Sequence, residues 1–202
     1  MELPESVVES KRIVATYSMK GDKPDMQSLR FEGSLNAPRI TPSDVACFVP
    51  KLRNLDMPLA LSIDFNGTGS SLNVNDLSIS TADHGFVLKA NAHAKRNRHT
   101  TWHAEVSKLF ASGDAISKVY KLATSNELPA IVHNLGDVSL TAKADGTDAD
   151  LSLNAVVGCA PGSVKLSASK QQKALHAHVE TRNFALDKLL GTDKTGVVSL
   201  SV

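Results

Sequence analysis

This 202-residue sequence has few aromatic side chains and a net charge close to zero, and each of these features excludes a class of function. The chain has six Phe, two Tyr and one Trp, which is too few for a sugar-stacking platform or a base-stacking surface. Its 22 Lys and Arg residues nearly balance 21 Asp and Glu residues, for a formal net charge of +1. A nucleic-acid-binding protein normally has a clear basic excess, so nucleic acid is not an expected partner.

Long hydrophobic runs are also absent from the sequence. The longest apolar stretches, such as residues 45–49, fall far short of the roughly 20 residues that a transmembrane helix needs. Hydrophobic residues nevertheless make up 42% of the chain, which argues against wholesale disorder. The two cysteines, Cys47 and Cys159, are far apart in the sequence and are either small buried thiols or a disulfide.

Apolar and polar residues alternate through much of the chain, which predicts β-strands with one apolar face and one polar face. Polar turns that contain glycine separate the alternating segments, and their spacing indicates short antiparallel connections. The phase of the alternation slips at Asn75 and Asp76, where a β-bulge would return the apolar residues to one face. The clearest alternation covers residues 13–19, 59–66, 72–79, 86–95, 151–157, 164–168, 175–179 and 197–202.

Two segments predict short helices instead of strands. Residues 42–53 have Thr41 as the predicted N-cap, and residues 112–123 have Ser112 in the same role. Apolar residues in each segment fall on one stripe of the helix. A last helical turn is predicted to end at Gly191. The chain is therefore predicted to be mainly β, with antiparallel strands and two short helices.

Structural landmarks recur along the chain and predict repeat units. An Asn-Leu pair, an alternating strand and an Asn/Asp-Gly-Thr turn occur at 54–68 and again at 134–147, an interval of about 80 residues. An alternating strand that reaches the last residue without a closing turn leads us to expect a piece of a longer repetitive β chain. We predict the end of a preceding β unit at 1–39, repeat units at 40–123 and 124–191, and the start of a third unit at 192–202.

Several motifs in combination resemble a known family. They include the run from Ile40 to Pro50 (ITPSDVACFVP), the run from Leu72 to Leu77 (LNVNDL), and further segments at 54–55, 59–67, 128–129, 134–136 and 181–191. Over residues 35–202 the chain is similar to the AsmA-like/TamB proteins of the Bacteroidetes. The resemblance implies an elongated, open β-sheet that is built from repeats and bent into a trough with an apolar lining. It also implies a periplasmic segment of a protein whose inner-membrane anchor lies outside this chain.

The resemblance further implies a function in the cell envelope, because members of the family are implicated in outer-membrane biogenesis. We expect a non-enzymatic segment of a protein that bridges the inner and outer membranes. It would carry lipids along the apolar trough, support outer-membrane protein assembly, or both. The expected partners are a phospholipid or another acyl lipid, and an outer-membrane assembly protein. The predicted lining consists of the alternate apolar residues whose side chains would point into the trough. They are Leu61, Ile63, Phe65, Leu88, Ala90, Leu140, Leu153, Val164 and Leu166.

The residues alone leave a second arrangement open. If the sheet closes on itself or packs against a second sheet, the alternate apolar side chains form an ordinary hydrophobic core rather than a lipid path. The chain would then be a periplasmic or extracellular β-sandwich binding module for a polymer or a protein partner. Small inward residues such as Ala90, Ala92 and Ala142 would leave room for acyl chains and are compatible with the trough.

Motifs for catalysis and metal binding occur only in incomplete form. Ser167-Ala-Ser-Lys170 matches the S-x-x-K signature of penicillin-binding enzymes, but Ser167 lies in a predicted strand rather than at the start of a helix. The histidine pairs 99/103 and 176/178 lack a completing ligand, and we interpret them as solvated surface residues. We therefore expect no catalytic residue, no cofactor and no metal ion.

A basic run, Lys95-Arg-Asn-Arg-His99, lies between two predicted strands. We interpret this run as a solvated hairpin loop, and a contact with anionic lipid headgroups is the alternative.

Overall fold

The structure, a computed structural model, describes residues 6–46, 57–171 and 174–202. These residues form eleven strands and four helices. The strands are β1 (Val7–Lys20), β2 (Lys23–Ile40), β3 (Leu59–Thr68), β4 (Ser71–Thr81), β5 (Phe86–Arg96), β6 (Thr100–Ala111), β7 (Val138–Thr147), β8 (Leu151–Cys159), β9 (Gly162–Gln171), β10 (Ala174–Ala185) and β11 (Val197–Ser201). The helices are α1 (Pro42–Val45), α2 (Gly113–Thr124), α3 (Ala130–His133) and α4 (Leu186–Leu190).

All eleven strands belong to one antiparallel sheet, in which each strand pairs with its neighbours in the sequence. Strands make up 66% of the described residues, so the prediction of a mainly β chain is confirmed. The sheet is curved and does not close, because β1 and β11 lie at opposite ends of the strand order. The described strands therefore form the predicted curved antiparallel sheet and not a pair of packed sheets.

A β-bulge lies where the sequence pattern slips. The register between β3 and β4 shifts by one residue at Asn75, and the register between β4 and β5 shifts at the same place. One extra residue in a strand reverses the alternation of its side chains. The predicted bulge is thus confirmed, and it keeps Val74 and Leu77 on the same face of the sheet.

The connections of the sheet alternate between two ends, because neighbouring antiparallel strands run in opposite directions. The turns that follow β1, β3, β5 and β7 lie at one end, which we call the hairpin end. The turns that follow β2, β4, β6, β8 and β10 lie at the other end. All four described helices fall within these connections, so we call this the helix end.

Helix α2 begins where the sequence predicts, whereas the cap of α1 differs. Ser112 has extended N-cap angles, and its Oγ accepts a hydrogen bond from the Ala115 amide at 3.2 Å. Thr41 occupies the predicted N-cap position of α1 with extended angles, but its side chain makes no capping hydrogen bond. The remainder of the first predicted helix, residues 47–53, lies outside the described residues.

To the two predicted short helices and the predicted last turn, the structure adds one further helix, α3. Helix α3 has only four residues, and the β-branched Ile131 and Val132 have low helix propensity, so no helical pattern marks it in the sequence. Helix α4 is the predicted last turn. It ends at Gly191, whose φ of +63° is the left-handed conformation that favours glycine at a helix C-terminus.

The sheet has almost no interior. Its accessible surface is 13597 Å², compared with about 9,200 Å² for a compact globular protein of this mass. Among the described residues, the buried apolar side chains are Ala37, Ala46 and Ala115 with Pro42 and Pro161, and no large side chain is fully buried. Stability therefore comes from backbone pairing along the sheet and from partial burial on its faces, not from a central core.

The single sheet runs through all four predicted units. The two stretches that share sequence landmarks both form hairpins of adjacent strands, β3 with β4 and β7 with β8. The boundaries at residues 39, 123 and 191 stay predictions, because one continuous sheet marks no break at any of them.

Cys159 is a free thiol at the end of β8. Its Sγ donates a hydrogen bond to the Gly162 carbonyl at 3.3 Å. Cys47 lies outside the described residues.

Candidate functional site

The nine residues predicted to line a trough share one face of the sheet. Directly opposed residues in neighbouring strands point to the same side, so strand register assigns each residue to a face. The register connects all nine through β3 to β9, and we call this side of β3–β9 the apolar face. The structure therefore brings the predicted residues together, and their contact with lipid stays a prediction.

An unbroken line of aliphatic side chains crosses the apolar face from β3 to β9. Each member lies directly opposite the next, so the line runs perpendicular to the strands. Neighbouring strands are about 4.8 Å apart, so these seven positions span roughly 29 Å. We call this line the aliphatic row; it consists of Leu61, Ile79, Leu88, Leu109, Leu140, Val157 and Val164.

The apolar face is neither a closed core nor a fully solvated surface. All nine predicted lining residues are half-buried, whereas alternate residues of β7 and β8, such as Ser139, Lys143 and Asn154, are exposed. Neighbouring side chains on the face shield one another, but no second sheet of the described chain covers them. A half-buried aliphatic surface keeps part of its hydrophobic free energy available for another apolar molecule.

Strand β6 contributes lining residues that sequence reasoning missed. Trp102, Val106 and Leu109 lie opposite apolar-face residues of β5 and β7. The register shifts between Val106 and Leu109, so residues 107–108 form a bulge that changes the parity of the strand. The apolar and polar residues of β6 do alternate, but the alternation slips once, as that of β4 does at Asn75. A strict period-two pattern does not continue across such a slip, so it does not assign the two halves of β6 to one face.

Two cations lie at the hairpin end of the apolar face. Arg96 follows Ala94 in the alternation of β5, and Lys170 lies directly opposite Leu151 and Leu175. Both side chains are exposed. The other charged residues of β3–β9 share the opposite face, so this apolar surface has cations at one end and no carboxylate.

The opposite face, which we call the polar face, carries paired charges. Lys143 Nζ lies 3.0 Å from Glu105 Oε1 across β6 and β7. The hydrogen bond from Lys143 lowers the pKa of the Glu105 carboxyl, and partial desolvation opposes this effect. The charged pairs among the described residues of this sheet therefore lie on the polar face, and the apolar face carries none.

The catalytic and metal motifs of the sequence do not converge. Ser167 and Lys170 are three residues apart in β9, so they lie on opposite faces of the sheet. His99 follows β5 in the turn, and its side chain is 81% exposed, whereas His103 lies within β6. Within residues 6–46, 57–171 and 174–202, no group of three or more His, Cys, Asp or Glu side chains is placed to hold one metal ion.

The comparisons with known proteins were negative. A scan against protein-family models, a search of curated proteins and a search of solved structures each found no match. In the part of the chain that the structure describes, none of the helices has the length and apolar character needed to span a bilayer.

Proposed function

We propose that this chain is a non-enzymatic lipid-carrying segment of an envelope protein that bridges the inner and outer membranes. In this proposal the acyl chains of a phospholipid, or of another acyl lipid, lie against the apolar face. The observation that carries the proposal is the half-buried aliphatic row, which crosses seven strands and over which the described residues place no second sheet. The resemblance to AsmA-like/TamB proteins supports a periplasmic location and a second role in outer-membrane protein assembly.

The chemistry of the apolar face suits a ligand that moves rather than one that is held. Aliphatic side chains attract acyl chains through non-directional apolar burial, which has no preferred register along the row. Charged side chains in the middle of the apolar face would fix a ligand in one place. Strands β3–β9 have no charged side chain in that part of the face. The cations Arg96 and Lys170 lie four strands apart at the hairpin end, where each would meet the anionic headgroup of a lipid whose acyl chains stay on the apolar face.

The test places a carboxylate on the apolar face and compares it with the same charge on the polar face. Leu153 is half-buried on the apolar face, and its neighbour Asn154 is exposed on the polar face. We expect a photoreactive phospholipid to label the parent chain and the Asn154→Asp variant, and not the Leu153→Asp variant. Leu153→Asp removes only partial burial from a face open to water, so the free energy of unfolding should fall by about 1–2 kcal/mol.

Two results would count against this function. One is a parent chain that takes up no photoreactive lipid above the level of an unrelated soluble protein. The other is a Leu153→Asp variant that unfolds outright, because an unpaired charge in a closed core costs several kcal/mol. Equal labelling of Leu153→Asp and Asn154→Asp would place any lipid away from the apolar face.

A further inference from the structure

Two imidazoles face each other on the polar face. His93 of β5 and His103 of β6 are directly opposed in the register of the two strands. Their ring centroids are 5.9 Å apart, with an interplanar angle of 35°. Side chains that are opposed in this way are the closest neighbours on a sheet, so the two rings can share one ligand.

A carboxylate on the next strand orients one of these rings. Asp145 of β7 lies opposite His103, and its Oδ1 is 2.6 Å from His103 Nδ1. An ionised carboxylate only accepts hydrogen bonds, so Nδ1 must be the donor. The His103 Nε2 then carries the free lone pair when the ring is neutral. Metal-binding histidines are commonly held by a carboxylate in this arrangement.

We propose that His93 and His103 together bind one divalent transition-metal ion, with Asp145 as the residue that positions His103. Zn²⁺, Ni²⁺ and Cu²⁺ all favour imidazole nitrogen ligands. With metal–nitrogen distances of about 2.0–2.1 Å, two rings on one tetrahedral ion have centroids roughly 5 Å apart. The observed ring centroids are about 1 Å farther apart than this, a difference that rotation of the exposed His93 side chain can close while Asp145 holds His103.

Water completes the coordination of this ion. The described residues supply no third His, Cys or carboxylate that converges with the pair on one ion. The rings line an open groove of about 900 Å³ at the hairpin end of the sheet, which leaves space for bound water. The same groove is also lined by hydroxyl groups, including those of Thr101, Ser152 and Ser169.

An ion in this position would join the two strands of the β5–β6 hairpin. A metal that binds the folded chain and not the unfolded chain stabilises the fold. Once the metal concentration exceeds the dissociation constant, this stabilisation grows with the logarithm of the ratio between the two. This consequence is independent of the lipid proposal, because the ion and the aliphatic row lie on opposite faces of the sheet.

The test is calorimetric titration of the full 202-residue chain, prepared without a polyhistidine tag, with ZnCl2 and with NiCl2. We expect one binding site per chain and a rise in the melting temperature with metal. His93→Gln and His103→Gln should each abolish the binding heat and the rise in melting temperature. Asp145→Asn should weaken binding about tenfold without abolishing it, because it disturbs only the orientation of a ligand.

His178→Gln is the matched control, since His178 lies on the same polar face in β10, opposite Ser167. This variant should bind metal as the parent does. Absence of binding by the parent chain overturns the proposal, as does binding that survives the loss of either His93 or His103. Unchanged affinity in Asp145→Asn overturns the positioning role given to that residue.

Discussion

The ring of Phe65 lies directly over Gly33 on the neighbouring strand. The two residues are opposed in the register of β2 and β3, and a Cβ atom added at position 33 would overlap the ring. The ring therefore occupies the space that a side chain at residue 33 would take, and it shields the backbone of β2 at the edge of the apolar face. Phe31 and Gly67 form the reciprocal pair one step along the same two strands.

This contact predicts that Gly33→Ala destabilises the sheet. The added methyl group must displace the Phe65 ring, and overpacking of this kind costs about 1–3 kcal/mol. Urea denaturation followed by circular dichroism measures the change. Gly196→Ala is the matched control, because a Cβ at Gly196 meets nothing within 4 Å. A Gly33→Ala variant as stable as Gly196→Ala would show that the ring does not depend on the glycine.

The cations at the hairpin end predict a preference for anionic lipids. Replacing Arg96 and Lys170 together with Gln should weaken binding to phosphatidylglycerol vesicles and leave binding to phosphatidylcholine vesicles unchanged. A basic residue near an anionic surface contributes about 1 kcal/mol, or roughly fivefold in affinity for each cation. Vesicle flotation over a series of lipid concentrations measures this effect.

The control for that experiment is an equal change of charge on the other face. Lys89 and Lys108 are directly opposed on the polar face, so their double replacement with Gln removes the same net charge. If both double variants lose phosphatidylglycerol binding equally, the attraction depends on overall charge and not on the end of the apolar face.

A hydrogen bond between two hairpins predicts a pH dependence of stability. Asp148 Oδ2 accepts a hydrogen bond from the Thr100 amide at 3.1 Å. That hydrogen bond lowers the pKa of the Asp148 carboxyl below its ordinary value of 3.8, with a smaller contribution from His99. The folded chain therefore holds this proton less tightly than the unfolded chain, so the stabilisation is present above pH 3.8 and is lost as the pH falls through the folded-state pKa.

The comparison with Asp148→Asn isolates this effect, because the amide oxygen can still accept from Thr100 while the ionisable group is gone. The stability of the parent relative to the variant should be constant at neutral pH and should fall progressively as the pH drops from about one unit above 3.8 through the folded-state pKa. Carboxyl NMR titration should give Asp148 a midpoint under that value. A midpoint at or above it would contradict the hydrogen bond.

The face of each strand could be read from the sequence, because side chains in a strand alternate strictly. The period-two pattern places all nine predicted lining residues on one side, and it marks the bulge at Asn75 by a slip of phase. The same pattern underestimates the extent of β2 and β6. Irregular alternation interrupts the period in β2, and a second bulge at residues 107–108 interrupts it in β6. The short helix α3 cannot be predicted in this way, because four residues are too few to show a helical period.

Contacts between strands could not be read from the sequence, because they depend on register. His93 and His103 are ten residues apart, and only the pairing of β5 with β6 makes them neighbours. Sequence reasoning had grouped His99 with His103 by spacing, and the structure separates them between a turn and a strand. The pairing of Arg96 and Lys170 with one end of the apolar face is also a result of register, since they come from β5 and β9.

The most direct measurement of the lipid path is site-specific photo-crosslinking at adjacent residues on opposite faces. A benzophenone side chain is placed at Leu88 or at Lys89 in β5, and at Leu140 or at Thr141 in β7, and each chain is illuminated with phosphatidylglycerol vesicles. Lys89 and Thr141 are the more exposed residues of each pair, so simple accessibility favours them. The account predicts lipid adducts at positions 88 and 140 and only background at 89 and 141; equal adducts at all four, or adducts confined to 89 and 141, would contradict it.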